Sequence, residues 1–149
     1  MQQAAGAPSL SCKESRVGMS QGLAELKCSA CSGEVERLSS DAKDLEKYLA
    51  EIPEWDLIKE GDVPKIQREY RMKNFNVGIE FFGNIRDVAE AEKHHPDLYL
   101  EGYQRVTVKI YTHKVQGLTV NDFILAAKID KLEPKLSKYH KSKAQRKES

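Results

Sequence analysis

Three of the four histidines in this 149-residue chain stand where helices and strands should end. His94 and His95 precede Pro96, and His113 follows a run of alternating apolar residues. Imidazole suits proton exchange near neutral pH, because its unperturbed pKa is about 6.5. Three imidazoles brought to one rim would both donate and accept protons on a single substrate. Plainer readings stand beside that one. A histidine at a helix C-terminus is favoured by the macrodipole alone, and one at a strand end is often only a surface residue. Three imidazoles could also hold zinc, although adjacent histidines rarely face one ion and Glu90 is a turn away. His140 lies in a lysine-rich stretch and carries no such signal.

Asp122 has two readings as well. Thr119-Val-Asn-Asp122 reads as a capping box with Asp in the place of Glu. The same carboxylate could orient a histidine or a substrate from the rim, and both roles fit one side chain. Cys28-Ser-Ala-Cys31 has the spacing that lets two thiolates share an ion. The only other cysteine is Cys12, and no thioredoxin-like pattern surrounds the pair, so these cysteines read as unliganded.

The elements that must position these groups follow from periodicity. Asp41–Glu51 has helical spacing, with Leu45, Tyr48, Leu49 and Ile52 on one stripe, Ser39 or Ser40 as cap and Pro53 as stop. Trp55–Lys59 reads as a strand and Gly61–Pro64 as a turn. Lys65–Lys73 alternates, with Ile66, Tyr70 and Met72 on one face and Gln67, Glu69 and Arg71 on the other. Asn74 caps a helix to about Lys93, whose stripe is Phe75, Ile79, Phe82, Ile85 and Ala89. Leu98–Leu100, a turn at Glu101-Gly102, and Val106, Val108 and Ile110 make a second hairpin. Gly117-Leu118 breaks the strand, Thr119 opens a last helix to about Leu132, and Pro134 closes it. The order α-β-β-α-β-β-α predicts an α+β fold, a four-stranded antiparallel sheet with three helices on one face. Spare apolar helix surface or an open sheet edge would favour an oligomer.

Composition bounds the rest. Lys and Arg number 24 against 23 Asp and Glu, for a net charge of +1. That balance argues against a dedicated nucleic-acid binder. No run approaches the ~20 apolar residues of a membrane-spanning helix. Lys131–Ser149 carries a net +5 and Asp41–Asp130 a net −4. The tail Leu136–Ser149 therefore reads as a solvated or frayed end, with a phosphate-binding arm as the sharper alternative. Residues 1–37 are rich in Ala, Ser and Gly and read as a flexible extension. They lack the basic and apolar regions of a secretory signal. Their Ser and Ala content fits a transit peptide, against which Glu14, Glu25 and the scarcity of Arg weigh.

One set of residues resembles a known family. Glu90-Ala-Glu-Lys-His94-His95-Pro96, then Tyr103, Thr112-His113, Gly117-Leu118-Thr119 and Asp122 resemble the pterin-4a-carbinolamine dehydratases. Gly117–Ile129 is similar to the plant and algal type. The resemblance covers residues 38–133, leaving the extension and a basic tail at 134–149 outside it. It implies four antiparallel strands with three helices on one face, and homodimers or homotetramers. It implies dehydration of 4a-hydroxytetrahydrobiopterin, or a related 4a-hydroxytetrahydropterin, to the quinonoid dihydropterin, which recycles the pterin of aromatic amino acid hydroxylases. Pterin is then the substrate, and no metal or organic cofactor is needed. It implies His94, His95 and His113 as the acid/base set, His94 and His113 carrying protons and His95 positioning the ring. Glu90, Pro96, Thr112, Lys114 and Asp122 would surround the substrate. Lys93 and Val115 depart from animal members, which commonly have Asp and in some cases Cys there. The competing function implied is a non-catalytic dimerisation or assembly cofactor for a protein partner, which intact histidines disfavour. The cytoplasm is the expected compartment, with mitochondrion or plastid as the alternative.

Overall fold

The structure, a computed structural model, describes residues 22–29, 35–39 and 43–148. After a single 3-10 turn at Leu23–Glu25, the elements are α1 (Lys43–Glu51), β1 (Asp56–Glu60), β2 (Val63–Arg71), α2 (Phe75–Glu92), β3 (Asp97–Glu101), β4 (Arg105–Ile110), α3 (Val120–Asp130) and α4 (Lys143–Lys147). A second 3-10 turn spans His113–Val115. The strands form one antiparallel sheet in the order β1-β2-β4-β3. This is the α+β architecture the sequence predicts, with the short α4 added.

Register sets which side chains meet the helices. Ile66, Arg68 and Tyr70 lie opposite Ile110, Val108 and Val106, and Leu98 and Leu100 opposite Val108 and Val106. Because strand side chains alternate, these residues share one face of the sheet. All of them but Arg68 form one core with Leu45 of α1, Phe81 and Ile85 of α2, and Phe123, Leu125 and Ile129 of α3. Full burial of each such side chain contributes about 1.5–3 kcal/mol. The other face carries Gln67, Glu69, Tyr99, Arg105 and Lys109.

Helix α3 is the central element. Its Phe-Ile-Leu-Ala-Ala run is apolar all round, the mark of a helix buried on every side, and Asn121–Ala127 are all buried. α1, α2 and the Leu23–Glu25 turn pack against it. The described part of the segment expected to be a flexible extension is therefore seated on the domain. Leu23 is buried and its N–H donates to Glu51 Oε2 at 3.0 Å. The Ser40 cap and Cys31 lie outside the described residues.

Three local expectations are corrected. β1 starts after Trp55, whose indole is buried and donates to Asp130 instead. The first turn is only Gly61-Asp62, Gly61 having φ 60. Pro64 belongs to β2, tolerated because β4 pairs with β2 only from Ile66 onward. The α2 stripe is rotated: Gly78, Phe81, Ile85 and Ala89 face the core, while Phe75 and Ile79 are about half exposed (51% and 50%). Gly78 decides this, since a Cβ there would sit 3.2 Å from Leu100 Cδ1. Asn74 caps α2 as expected, accepting from Val77 N–H at 3.0 Å.

The tail is also corrected in part: its side chains are mostly exposed to solvent, as expected, but its described residues are docked rather than frayed. β1 stops pairing at Gln67, which leaves the outer edge of β2 open beyond it. The tail runs into that lane. Lys73 N–H donates to the Lys135 carbonyl and Ser137 N–H to the Arg71 carbonyl, and Met72 bridges Leu136. Arg71 N–H donates to His140 Nδ1 at 3.1 Å. Lys143 then donates to the Trp55 carbonyl, and α4 starts on the reciprocal Ser142–Gln145 capping box. His140 accepts only while its Nδ1 is unprotonated. Burial, then Arg68 and Arg146, hold its pKa below the usual value.

Candidate active site

The site is built where α2 ends and α3 begins. α2 stops at Glu92, and Lys93 adopts a left-handed conformation (φ 53) with its N–H on the Ala89 and Glu90 carbonyls. That turn directs His94 inward, its own N–H on the Ala89 carbonyl. His94 is 5% exposed. Pro96 follows and β3 starts at Asp97, so the chain cannot continue as helix.

On the facing side, Thr119 and Asp122 form the capping box read from the sequence. Asp122 Oδ2 accepts from Thr119 N–H at 2.7 Å and from the Thr112 hydroxyl at 3.0 Å. Asp122 Oδ1 lies 2.6 Å from His94 Nε2. Thr112 and Thr119 hydroxyls are 2.9 Å apart. His94, Thr112, Thr119 and Asp122 are all buried. Where the Asp122 carboxylate accepts in that bond, His94 Nε2 is its donor. Nδ1 meets no hydrogen-bond partner among the described residues. The position of Asp122 in the first turn of α3 also sets it against the positive end of the helix dipole.

The remaining expected residues sit around this core. His95 is exposed and its Nε2 is 2.9 Å from Glu90 Oε1, so these two form a surface pair. His113 opens its 3-10 turn directly after Thr112, and its ring lies 4.2 Å from that of Tyr111. Lys65 Nζ stands 4.2 Å over the other partner in that stack, Tyr111. Lys114 is exposed in the same turn, and Pro96 is half-buried. Thr112 and Gly117 exchange both backbone hydrogen bonds, closing the loop that holds His113. The contacts thus join His94, Asp122, Thr112 and Thr119 directly, while His95 and His113 make their contacts with Glu90 and Tyr111. No group of three or more His, Cys, Asp or Glu side chains among the described residues is placed to hold a metal ion.

Thr119 as a hydroxyl partner of the site and Tyr111 as the ring against His113 were not read from the sequence as functional. Thr119 carried a signal only as a helix cap. Tyr111 carried one only as an alternating strand residue.

Comparison with known proteins returns one family. The family described as pterin 4 alpha carbinolamine dehydratase matches residues 38–132. A curated relative, "Pterin-4-alpha-carbinolamine dehydratase 2, mitochondrial" of Arabidopsis thaliana, is 43% identical over 113 residues, covering 74% of this chain and 59% of its own. A putative pterin-4-alpha-carbinolamine dehydratase of Halorhodospira halophila is 43% identical over 110 residues, covering 74% of this chain and 96% of its own. Among solved structures, the Brucella melitensis protein described as a transcriptional coactivator/pterin dehydratase superposes with a TM-score of 0.57. It is 26% identical and covers 64% of this chain and 97% of its own.

Proposed function

The chain belongs to the pterin 4 alpha carbinolamine dehydratase family, and from that premise we propose that it dehydrates a 4a-hydroxytetrahydropterin, 4a-hydroxytetrahydrobiopterin or a close relative, to the quinonoid dihydropterin and water. The observation that carries the reading is the buried His94–Asp122 pair at 2.6 Å. In the reaction the C4a–O bond breaks, the N5–H proton leaves, and the N5=C4a double bond forms. The hydroxyl departs as water once it receives a proton. Nothing is oxidised overall, so one acid and one base suffice.

His94 fits the proton-handling role because Asp122 fixes its tautomer and leaves Nδ1 for exchange. His113 is the second proton carrier, held beside Thr112 with its ring against Tyr111. His95, paired with Glu90 at the surface, positions the ring of the substrate. Glu90, Pro96, Thr112, Lys114 and Asp122 complete the surroundings of the pterin. The reaction draws on no organic cofactor, and it serves to recycle the pterin used by aromatic amino acid hydroxylases.

The test mixes purified chain with freshly generated 4a-hydroxytetrahydropterin and follows the ultraviolet decay beside a His94→Ala/His113→Ala control. The carbinolamine dehydrates unaided, so the expected result is an acceleration that the control loses. No acceleration by folded protein with several pterins would sink the reading. Single variants then separate the roles: turnover lost in His95→Ala alone would overturn the assignment of His94 and His113.

Two coarser points complete the reading. Phe75 and Ile79, half exposed on α2, support self-association as a homodimer or homotetramer, which light scattering measures. The Arabidopsis relative is named mitochondrial, which supports an organellar address over the cytoplasm, tested with a fluorescent fusion of the full chain. The coactivator in the description of the Brucella structure favours a second reading, binding of a protein partner. It predicts a stable hetero-complex that His substitution leaves intact.

A further inference from the structure

Cys28 and Ser29 lie outside the matched domain, yet they touch both halves of the His94–Asp122 pair through neighbouring residues. Asn121, next to Asp122, is fully buried. Its Oδ1 accepts from Ser29 N–H and its Nδ2 donates to the Ser29 carbonyl, each at 3.0 Å. The amide thus pairs with the main chain as a strand would. The Cys28 thiol donates to the Asn121 carbonyl at 3.5 Å. Cys28 N–H donates to Glu92 Oε2 at 2.9 Å, and Glu92 also holds Lys128 of α3. Glu92 is the last residue of α2, two before His94.

We infer that residues 28–29 form a strap that sets the distance between His94 and Asp122, with Asn121 and Glu92 as positioning residues for the proposed dehydration. The inference rests on the reading of His94 as a proton carrier. One end of the strap fixes the last turn of α2, which directs His94 inward. The other fixes the first turn of α3, which carries Asp122. A buried hydrogen bond of 2.6 Å between two helices has little slack, and small misplacements of catalytic groups are costly. The contacts run chiefly through the main chain of the strap, with the Cys28 thiol and the Ser29 hydroxyl adding to them. Burial, with Glu92 close by, raises the Cys28 thiol to about 12, so it acts here as a neutral donor.

The test uses the full chain with Asn121→Ala, Ser29→Pro, which removes the donor N–H from the strap, and Ile52→Val, a core change outside the strap. Three quantities are read: kcat and KM for carbinolamine dehydration, the thermal midpoint, and the NMR signal of the His94 Nε2 proton. The expected result is a kcat about tenfold lower with KM within about twofold, a split that marks lost transition-state positioning. The His94 proton should also exchange faster, while Ile52→Val keeps wild-type kcat and signal. Wild-type kcat and an unchanged His94 signal in either folded strap variant would overturn the inference. So would a kcat loss that Ile52→Val reproduces at the same drop in midpoint. If Asn121→Ala does not fold, Ser29→Pro decides alone. If the parent chain shows no dehydration, the functional reading falls, and the His94 signal still decides whether the strap holds the pair.

Discussion

Helix α3 carries a carboxylate at each end, Asp122 buried and Asp130 half-buried, and the two are partnered in opposite ways. Asp122, at the N-terminus, sits where the helix dipole favours an anion and faces a histidine, a main-chain N–H and a hydroxyl. Asp130, at the C-terminus, sits where the dipole opposes an anion. It accepts from the Trp55 indole at 2.7 Å and from Arg68 at 2.5 Å. Burial pushes the Asp130 carboxyl above its usual range, and the Arg68 guanidinium beside it only partly offsets this. An arginine never yields its proton, so the Asp130 corner can only hold the fold together. An imidazole exchanges its proton near neutral pH, so the Asp122 corner can do chemistry. One helix thus separates a structural carboxylate from the one proposed to work, by choice of partner.

That contrast is open to attack at both ends. The largest effect should come from Arg68→Met, which leaves the half-buried Asp130 without its cation. Breaking a fully buried pair costs about 3–5 kcal/mol and this part-buried one about 2–3 kcal/mol, read from urea unfolding, while the dehydration rate per folded molecule stays at the parent value. Lost rate at unchanged stability would erase the distinction. His94→Gln comes next. The glutamine amide can still donate to Asp122 but cannot pass a proton on, so kcat should fall about a hundredfold or more. Stability should fall by only about 1 kcal/mol. A small rate loss in this variant would move the chemistry away from the Asp122 corner. Trp55→Phe removes a single donor from Asp130, for about 1 kcal/mol of stability with normal kinetics. A kinetic defect here would tie the two corners together.

The smallest effect is one of pH. The folded-state pKa of Asp130 lies above its unfolded value of 3.8, so the folded chain binds the proton more tightly. Its contribution is then fully present below 3.8 and is lost as pH rises through the raised value. Relative to Asp130→Asn, the parent should be most stable in acid, losing that advantage across this window and staying level above it. Guanidinium titrations of both proteins at a series of pH values would show it, and a parent advantage that grows with pH would contradict it.

The sequence made half of this contrast visible. Thr119 and Asp122 read as a capping box and His94-His95-Pro96 as a helix end, and it is the resemblance of the whole set to a known family that pointed to the Asp122 corner. Trp55, Arg68 and Asp130 gave no such mark. They meet from three elements, and pairing across 75 and 62 residues leaves no local period. The α2 stripe misled because Phe75 and Ile79 are as apolar as Phe81 and Ile85. The face that is buried is the one with Gly78, where Leu100 approaches too closely to leave ordinary room for a Cβ. The strap and the tail escaped for another reason. Both are held chiefly by main-chain and polar contacts, to which hydrophobic periodicity is blind, and a lysine-rich composition suggested the opposite of order.

The tail has a consequence for how the protein is made. Every strand of the sheet leaves the ribosome before Lys135–His140 does, so a nascent domain carries Glu69–Lys73 as an open hydrogen-bonding edge until its final stretch emerges. Such an edge is a template for a neighbouring nascent chain. On a polysome the interval between sheet formation and tail docking is therefore the most exposed moment in the life of this fold, when a chaperone has most to protect.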